Sequence, residues 1–311
     1  MATPSATNKI MDAFNNDNLQ SWIDAFMMDR RAQNMAKGTF HFYKARLKDF
    51  SAYFESVNID RVMQIEPSHI RAFLLLLQEK GHNPGGVHSY YRVIKAFLRW
   101  FEFEFEPEKW RNPIRQIKAP KNPVILLDPV NIDVAQAMID ICPKIDFFGL
   151  RDKAIFLCML DTGLRASELL AMNIEDVNFI TGEIHILKGK GRKSRYVFLG
   201  SKSRKALRSY LKYRPDDTEA LWLTRERTRM EYWGLEGMIH RRAKEAKVTA
   251  PSLHSFRRWF ALTCLRAGMD AFSLQELMGH SDLQVLRRYI KQTSFDLQDA
   301  HQRASPVDNL Y

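Results

Sequence analysis

The chain has 311 residues, 45% of them hydrophobic, which suffices for about two domains with sizeable cores. Its 47 Lys and Arg against 36 Asp and Glu leave a formal net charge of +11, pointing to an anionic partner, most simply nucleic acid, although a merely basic soluble protein carries the same charge. No apolar run approaches membrane length, the N-terminus MATPSATNKI lacks a secretory apolar core, and Cys142, Cys158 and Cys264 match no metal or disulfide spacing; a membrane span and a disulfide scaffold do not fit, and a reducing cytoplasm is expected, beside the nucleoid if DNA is the partner.

In chain order, residues 1–17 are small and polar and read as a loose arm. Four helices are expected next, near 18–34, 39–56, 67–80 and 85–103, making 18–111 a small helical domain. The second helix carries Phe42, Leu47, Phe50 and Phe54 close to helical spacing. Pro67 opens the third at a favoured position, ahead of Ile70, Phe73, Leu74 and Leu77, and Gly81 ends it. The fourth sets Val93, Ile94, Phe97 and Leu98 in a row, with Tyr90, Tyr91, Arg92, Lys95 and Arg99 spread around them. Most of the aromatics are expected in the core, with Arg92 and Lys95 as candidate DNA contacts. Residues 112–129 hold Pro113, Pro120, Pro123 and Pro129 among basic residues, and such a stretch resists helix and acts as a semi-rigid tether. The domain boundary is placed there. A basic linker between two basic domains lets the pair close around a duplex as a clamp.

The second domain, 130–303, starts with helices expected near 131–142 and 147–161. Gly163 permits a tight turn into a new helix with Arg165 at its start, where a helix N-terminus already favours an anion. Glu168, one turn on, is placed to orient that arginine, although a surface Arg–Glu pair of little worth has the same spacing. Residues 183–199 read as a β-hairpin, Glu183 to Lys188 and Ser194 to Leu199, around Gly189-Lys190-Gly191-Arg192-Lys193. The glycines make its tip mobile, so an ammonium there can enter a site when substrate arrives. Spacing alone leaves Lys188, Lys190 and Lys193 equal candidates for that role. From Lys188 to Arg214 there are eleven Lys or Arg and no acid, a run suited to phosphate that includes Lys188, Arg192, Lys193 and Arg195. A solvated basic face is its plain alternative. Helices over 201–213 and 231–247 follow, the latter offering Arg241, Arg242 and Lys244 to phosphates. The expected fold class is mainly α with a small β-hairpin in an α+β second domain.

The densest chemistry lies between Leu253 and Tyr289. Phe256, Phe260 and Cys264 recur every four residues as an apolar stripe, and His254 and Arg257, three apart, share another face of the same helix. Ser273 and Glu276 have capping-box spacing for a second short helix, and Gly279 supplies its stop. Ser281 or Asp282 can cap a third helix whose buried row is Leu283, Leu286 and Ile290. His280 then falls in a turn between helices, and Tyr289 flanks the last apolar row. Residues 290–302 continue helical and 304–311 form a tail. A tyrosine on an apolar helix is usually a core or rim residue. Joined to cations it is more: Tyr, with an ordinary pKa of about 10, is a weak nucleophile that needs cations or bases beside it. Arg matches the paired oxygens of a phosphate, and His trades protons near neutrality. Together they suit attack on a phosphodiester.

The joint pattern H-x-x-R at His254–Arg257, then G-H-S-D at Gly279–Asp282, then Tyr289, resembles the tyrosine recombinase (phage integrase) family, which includes the Xer-type recombinases. T-G-L-R-x-S-E-L-L at 162–170 is similar to the family's first-arginine motif, and G-K-G-x-K-x-R at 189–195 is similar to its lysine hairpin. Residues 18–111, down to N-P-I-R-Q-I-K-A-P-K at 112–121, resemble its core-binding (SAM-like) domain. Arg258 follows Arg257 where many relatives have His, and only the H-x-x-R register favours Arg257 over it. The resemblance selects Lys190 and implies a catalytic set of Arg165, Lys190, His254, Arg257, His280 and Tyr289. It implies a site-specific recombinase that cleaves and rejoins double-stranded DNA through a 3′-phosphotyrosine and a Holliday junction, as a homotetramer on DNA, without metal, ATP or other cofactor. It also implies a C-terminal segment that docks on a neighbouring protomer. Two rival readings stand beside it: a type IB topoisomerase-like nicking-closing enzyme, and a non-catalytic DNA-binding protein on the same fold.

Overall fold

Asn18 accepts hydrogen bonds from the backbone N–H groups of Gln20 and Ser21 and so starts helix α1 (Leu19–Ala32). Helices α2 (Lys37–Ser56), α3 (Pro67–Glu79) and α4 (Pro84–Phe105) follow, α3 and α4 each opening on the proline whose missing N–H would have no helical partner there. Their apolar stripes meet in one core. Trp22, Phe26, Phe50, Phe54, Phe97 and Phe101 are fully buried in it, and the Trp22 ring stands edge-on to Phe101 at 4.9 Å between centroids. Tyr90 and Tyr91 are buried as expected of core aromatics, while Arg92 faces solvent and Lys95 lies with its Nζ 5.9 Å from the Tyr91 ring centroid.

The computed structural model describes residues 18–123, 128–187, 194–215, 218–279 and 294–308, and the chain divides between Val124 and Ile125 into two compact units. The proline-rich stretch expected as a tether over 112–129 differs in its first half. Ile114 and Ile117 are buried in the core of the first unit, Asn112 Nδ2 donates to the Leu98 carbonyl at 2.9 Å, and Tyr91 Oη donates to the Ile117 carbonyl at 3.1 Å. Pro113 even opens a short 3-10 helix (Pro113–Gln116), capped by Asn112, and two isoleucines are available to bury, so this half of the stretch docks where a tether was expected.

In the second unit α5 (Ile132–Asp140) precedes α6 (Phe147–Thr162), which is buried on nearly every side and packs against α8 (Ser201–Leu211) and α10 (Leu253–Arg266). Between α6 and α8 lie the six-residue helix α7 (Ala166–Ala171) and a two-stranded antiparallel sheet, β1 (Glu183–Ile186) and β2 (Arg195–Phe198), in register Ile184↔Val197 and Ile186↔Arg195. Alternation sends Ile184, Ile186, Arg195 and Val197 inward and leaves Tyr196 and Phe198 outside. Helix α9 (Tyr232–Glu245) then buries Leu235, Met238 and Ile239. Helix α11 (Ala271–Met278) closes over α10 through Phe260, Ala261, Leu274 and Met278. Its cap is Asp270, which accepts from the N–H groups of Phe272 and Ser273 at 2.9 Å each. Ser273, expected as the cap, is therefore three residues inside; an ionised carboxylate outcompetes a hydroxyl for the first-turn N–H groups. Helix α12 (Ser294–Ala304) is tied to α10 by Arg266 Nε, 2.6 Å from Asp296 Oδ1. Among the described residues no helix is long and apolar enough to cross a membrane.

Candidate active site

Three segments far apart in sequence converge at the C-terminal end of α11. The first is the exit from α6, where Gly163 takes φ +58° and turns the chain so that Arg165 stands at the start of α7. Glu168, one turn on, fixes that arginine twice: its Oε1 accepts from Arg165 Nη1 at 2.8 Å and its Oε2 accepts from the Arg165 backbone N–H at 3.0 Å. The second segment is α10, whose inward face carries Arg257, only 1% exposed. Its Nη1 donates to the Gly163 carbonyl and its Nη2 to the Met278 carbonyl, each at 2.6 Å. Arg165 reaches the same place, donating from Nη1 to the Met278 carbonyl at 3.4 Å and from Nη2 to the Gly279 carbonyl at 3.2 Å. The last carbonyls of α11 have no helical N–H to accept from and carry the negative end of its dipole, so guanidiniums are their natural partners. The third segment is β2: Arg195 joins the cluster through Glu168 and the Leu277 carbonyl.

Among the described residues, Arg165 and Arg195 share the carboxylate of Glu168, while Arg257 is held by two backbone carbonyls. Burial alone would raise the Glu168 pKa, but hydrogen bonds from Arg195 and from the Arg165 backbone, with the charges of both arginines, hold it down at about 2. It stays ionised, and guanidiniums held side by side in this way suit a phosphate. Beside the cluster, Leu164, Arg165, His254 and Arg257 line a cleft of about 390 Å³, closed on its other wall by Tyr232, Glu236 and His240 of α9. His254 is pushed below its ordinary pKa by burial, then by the charges of Arg258, Arg257 and Arg165. The shift favours the neutral imidazole, the form able to accept a proton.

The phage integrase family profile matches residues 130–294. The tyrosine recombinase XerA of Pyrococcus furiosus is 31% identical over 244 residues, 76% of this chain and 80% of that protein. The XerC recombinase of Oceanobacillus iheyensis is 28% identical over 94% of this chain and 98% of its own length. The chain belongs to the phage integrase family of tyrosine recombinases. Two solved structures share the fold at low identity. XerH site-specific recombinase bound to a palindromic difH substrate has a TM-score of 0.70 at 21% identity, covering 97% of this chain and 90% of that one. A lambda integrase dimer bound to a core site has a TM-score of 0.72 at 15% identity, covering 92% and 81%.

Within this tyrosine recombinase the structure brings together Arg165, His254 and Arg257. Of the other three residues of the expected catalytic set, Lys190, His280 and Tyr289 lie outside the described residues, as do the expected DNA contacts Lys188, Arg192 and Lys193. Arg258, the register rival of Arg257, is anchored elsewhere, with its Nε donating to the Asp128 carbonyl at 2.9 Å. Two arginines expected on phosphates turn inward. Arg242, 6% exposed, has its Nε 2.9 Å from Asp152 Oδ2, a carboxylate buried at 0% that Arg151 also grips, and its Nη1 2.8 Å from Glu245. A buried Asp152 has to be paired, and Arg242 pairs it. Arg195 is likewise 3% exposed and committed to Glu168. Arg241, by contrast, keeps 53% of its side chain exposed. The basic run to Arg214 is also partly internal: Arg204 donates to the Ile180 carbonyl and Arg214 to those of Pro215, Thr218 and Ala220. Tyr232, Glu236 and His240 of the cleft carry no signal in a single sequence beyond lying on the polar side of an amphipathic helix.

Proposed function

We propose that this protein is a site-specific DNA recombinase that breaks and rejoins strands through a 3′-phosphotyrosine. The observation that carries the reading is the meeting of Arg165 and Arg257, from α7 and α10, at the Met278 carbonyl, with His254 on the same cleft. Two planar forks that converge on one oxygen acceptor are placed to hold the non-bridging oxygens of one phosphate, where negative charge grows in the five-coordinate transition state. Tyr289 attacks phosphorus as its phenolic proton passes to His254. The bond to the 5′ oxygen breaks, and Lys190 gives that oxygen a proton. His280, next to the Gly279 carbonyl that Arg165 holds, hydrogen-bonds the phosphate. The phosphotyrosine conserves the energy of the broken linkage, so rejoining needs no ATP, and the two guanidiniums supply the charge that a metal would otherwise supply. Attack on the phosphotyrosine by the 5′-hydroxyl of a second duplex gives strand exchange and a Holliday junction, which requires a tetramer assembled on DNA. Arg241, Lys188, Arg192, Lys193, Arg92 and Lys95 are the proposed contacts that hold the DNA backbone.

The test is covalent trapping on a nicked suicide DNA substrate drawn from DNA flanking the gene, with chelator present and without ATP. Wild type is expected to give a slowly migrating protein–DNA adduct on a denaturing gel, and Tyr289→Phe to give none while still binding. An adduct that Tyr289→Phe retains removes Tyr289 as nucleophile. Tight binding with no adduct from wild type supports a binding protein, and relaxation of supercoils without junction resolution supports a nicking-closing enzyme.

A further inference from the structure

We propose that Arg195 is a positioning residue that locks Arg165, the hairpin root and the turn leading to His280 into one frame, and that it does not contact DNA. This role rests on the reading of Arg165 as a clamp on the scissile phosphate. Arg195 opens β2 and pairs with Ile186 across the ladder, so it stands at the root of the hairpin, five residues after Lys190 in sequence. Its side chain is 2% exposed and points inward, and each of its three nitrogens donates a hydrogen bond inside the protein. Nη1 donates to Glu168 Oε1 at 3.0 Å, Nη2 to Glu168 Oε2 at 2.8 Å, and Nε to the Leu277 carbonyl at 2.8 Å. Gly279 sits against the other side of the same guanidinium: a Cβ there would lie 3.0 Å from its Cζ, Nε and Nη1.

Two consequences follow for Arg165. The first is geometric. Glu168 accepts from four donors, two of Arg195 and two of Arg165, which fills the roughly four lone-pair positions a carboxylate offers. Arg165 cannot shift without Glu168, and Glu168 cannot shift without Arg195, which is itself pinned to α11. The second is electrostatic. A private Arg165–Glu168 pair would be neutral and would offer a phosphate little. With one carboxylate divided between the buried Arg195 and the part-exposed Arg165, Arg165 is oriented by Glu168 yet keeps charge for an anion. Arg195 thus resolves the conflict between holding a catalytic arginine and quenching it.

The test compares Arg195→Gln with Arg241→Ala on the suicide substrate, following DNA affinity over a salt series and single-turnover cleavage at saturating protein over pH. Arg195→Gln is expected to leave the salt slope of binding unchanged while cleavage of bound DNA falls on the order of 10²-fold, the usual cost of a misplaced catalytic group. Its acid limb of cleavage is expected to move towards neutrality, because Glu168 loses the donor that keeps it ionised. Arg195→Lys, which restores charge without the fork, is expected to recover part of the rate. A merely structural arginine would lower the melting temperature and leave the limb in place. If Arg195→Gln does not fold, Gly279→Ala, which presses on the same guanidinium with Arg195 still present, is expected to show the same slow cleavage with an unchanged salt slope. The proposal is overturned if Arg195→Gln cuts bound DNA at the wild-type rate, or if its salt slope falls by about 0.9, the signature of one lost phosphate contact. Failure of wild type itself to form the adduct removes the phosphotyrosine reading and this role with it. A normal wild-type adduct beside full-rate Arg195→Gln removes this role alone.

Discussion

Replacing Gly163 by Ala tests the turn on which the arginine cluster depends. Gly163 has φ +58°, and an added Cβ would lie 2.3 Å from Phe260 Cδ1 and 2.8 Å from its Cγ, more than 1 Å inside ordinary contact. Phe260 cannot retreat outward, since it is 7% exposed and packed with Ala261, Leu274 and Met278. The left-handed backbone costs a residue with a Cβ roughly 1–3 kcal/mol, and overpacking adds roughly 1–3 kcal/mol, so Gly163→Ala is expected to destabilise by about 4 kcal/mol. For a unit of this size that is a fall of about 8–16 °C in melting temperature. Gly237, in the middle of α9 with nothing within 4 Å of a built Cβ, is the control. The same chemical change there is expected to stabilise by about 0.5–1 kcal/mol through helix propensity. Urea and thermal denaturation of both variants check the pair of opposite signs. The Gly163 carbonyl also holds Arg257 Nη1 at 2.6 Å, so any folded Gly163→Ala protein is expected to cleave slowly as well. A Gly163→Ala protein that melts within about 2 °C of wild type, a difference of under about 1 kcal/mol, would refute the reasoning.

Two pH effects follow from the same cluster, each with a definite sign. Glu168 is held at about 2 in the folded protein, below its ordinary 4.5, so its contribution to stability is complete above the unfolded value and is lost as pH falls towards 2. Glu168→Gln is expected to be less stable than wild type at neutral pH, with the gap closing below pH 4.5, as urea denaturation at several pH values would show. His254 is pushed below its ordinary value in the fold, so the unfolded chain takes up its proton first and stability declines as pH drops through about 6.5. Bound phosphate offsets the arginine charges beside it. The His254 resonance in a Tyr289→Phe complex with DNA is therefore expected to titrate at higher pH than in the free protein; an equal or lower value would show that no phosphate reaches the cleft.

Much of the helical frame was legible because its determinants are local. The proline at the start of α3 and the apolar spacing close to four residues both act within a turn or two, and they placed those elements to within a few residues. Where two local signals competed, as Asp270 and Ser273 did for the cap of α11, the stronger acceptor won and the expectation slipped by one turn. The family, too, was legible from short motifs, because H-x-x-R, G-H-S-D and T-G-L-R-x-S-E-L-L each span only a few consecutive residues.

Charge was legible and its use was not. Arg195, Arg241 and Arg242 look alike in a basic chain, yet Arg195 finds Glu168 27 residues away, Arg242 finds Asp152 90 residues away, and Arg241 keeps over half of its side chain exposed. The sequence by itself determined the helical elements, the excess of positive charge and the residue types available for phosphodiester attack, since these are properties of composition and near neighbours. Only the tertiary structure decided which guanidiniums line the cleft and which are consumed inside. A buried carboxylate has to be paired, and its partner is whichever arginine the packing of α6, α7, β2 and α9 delivers to it.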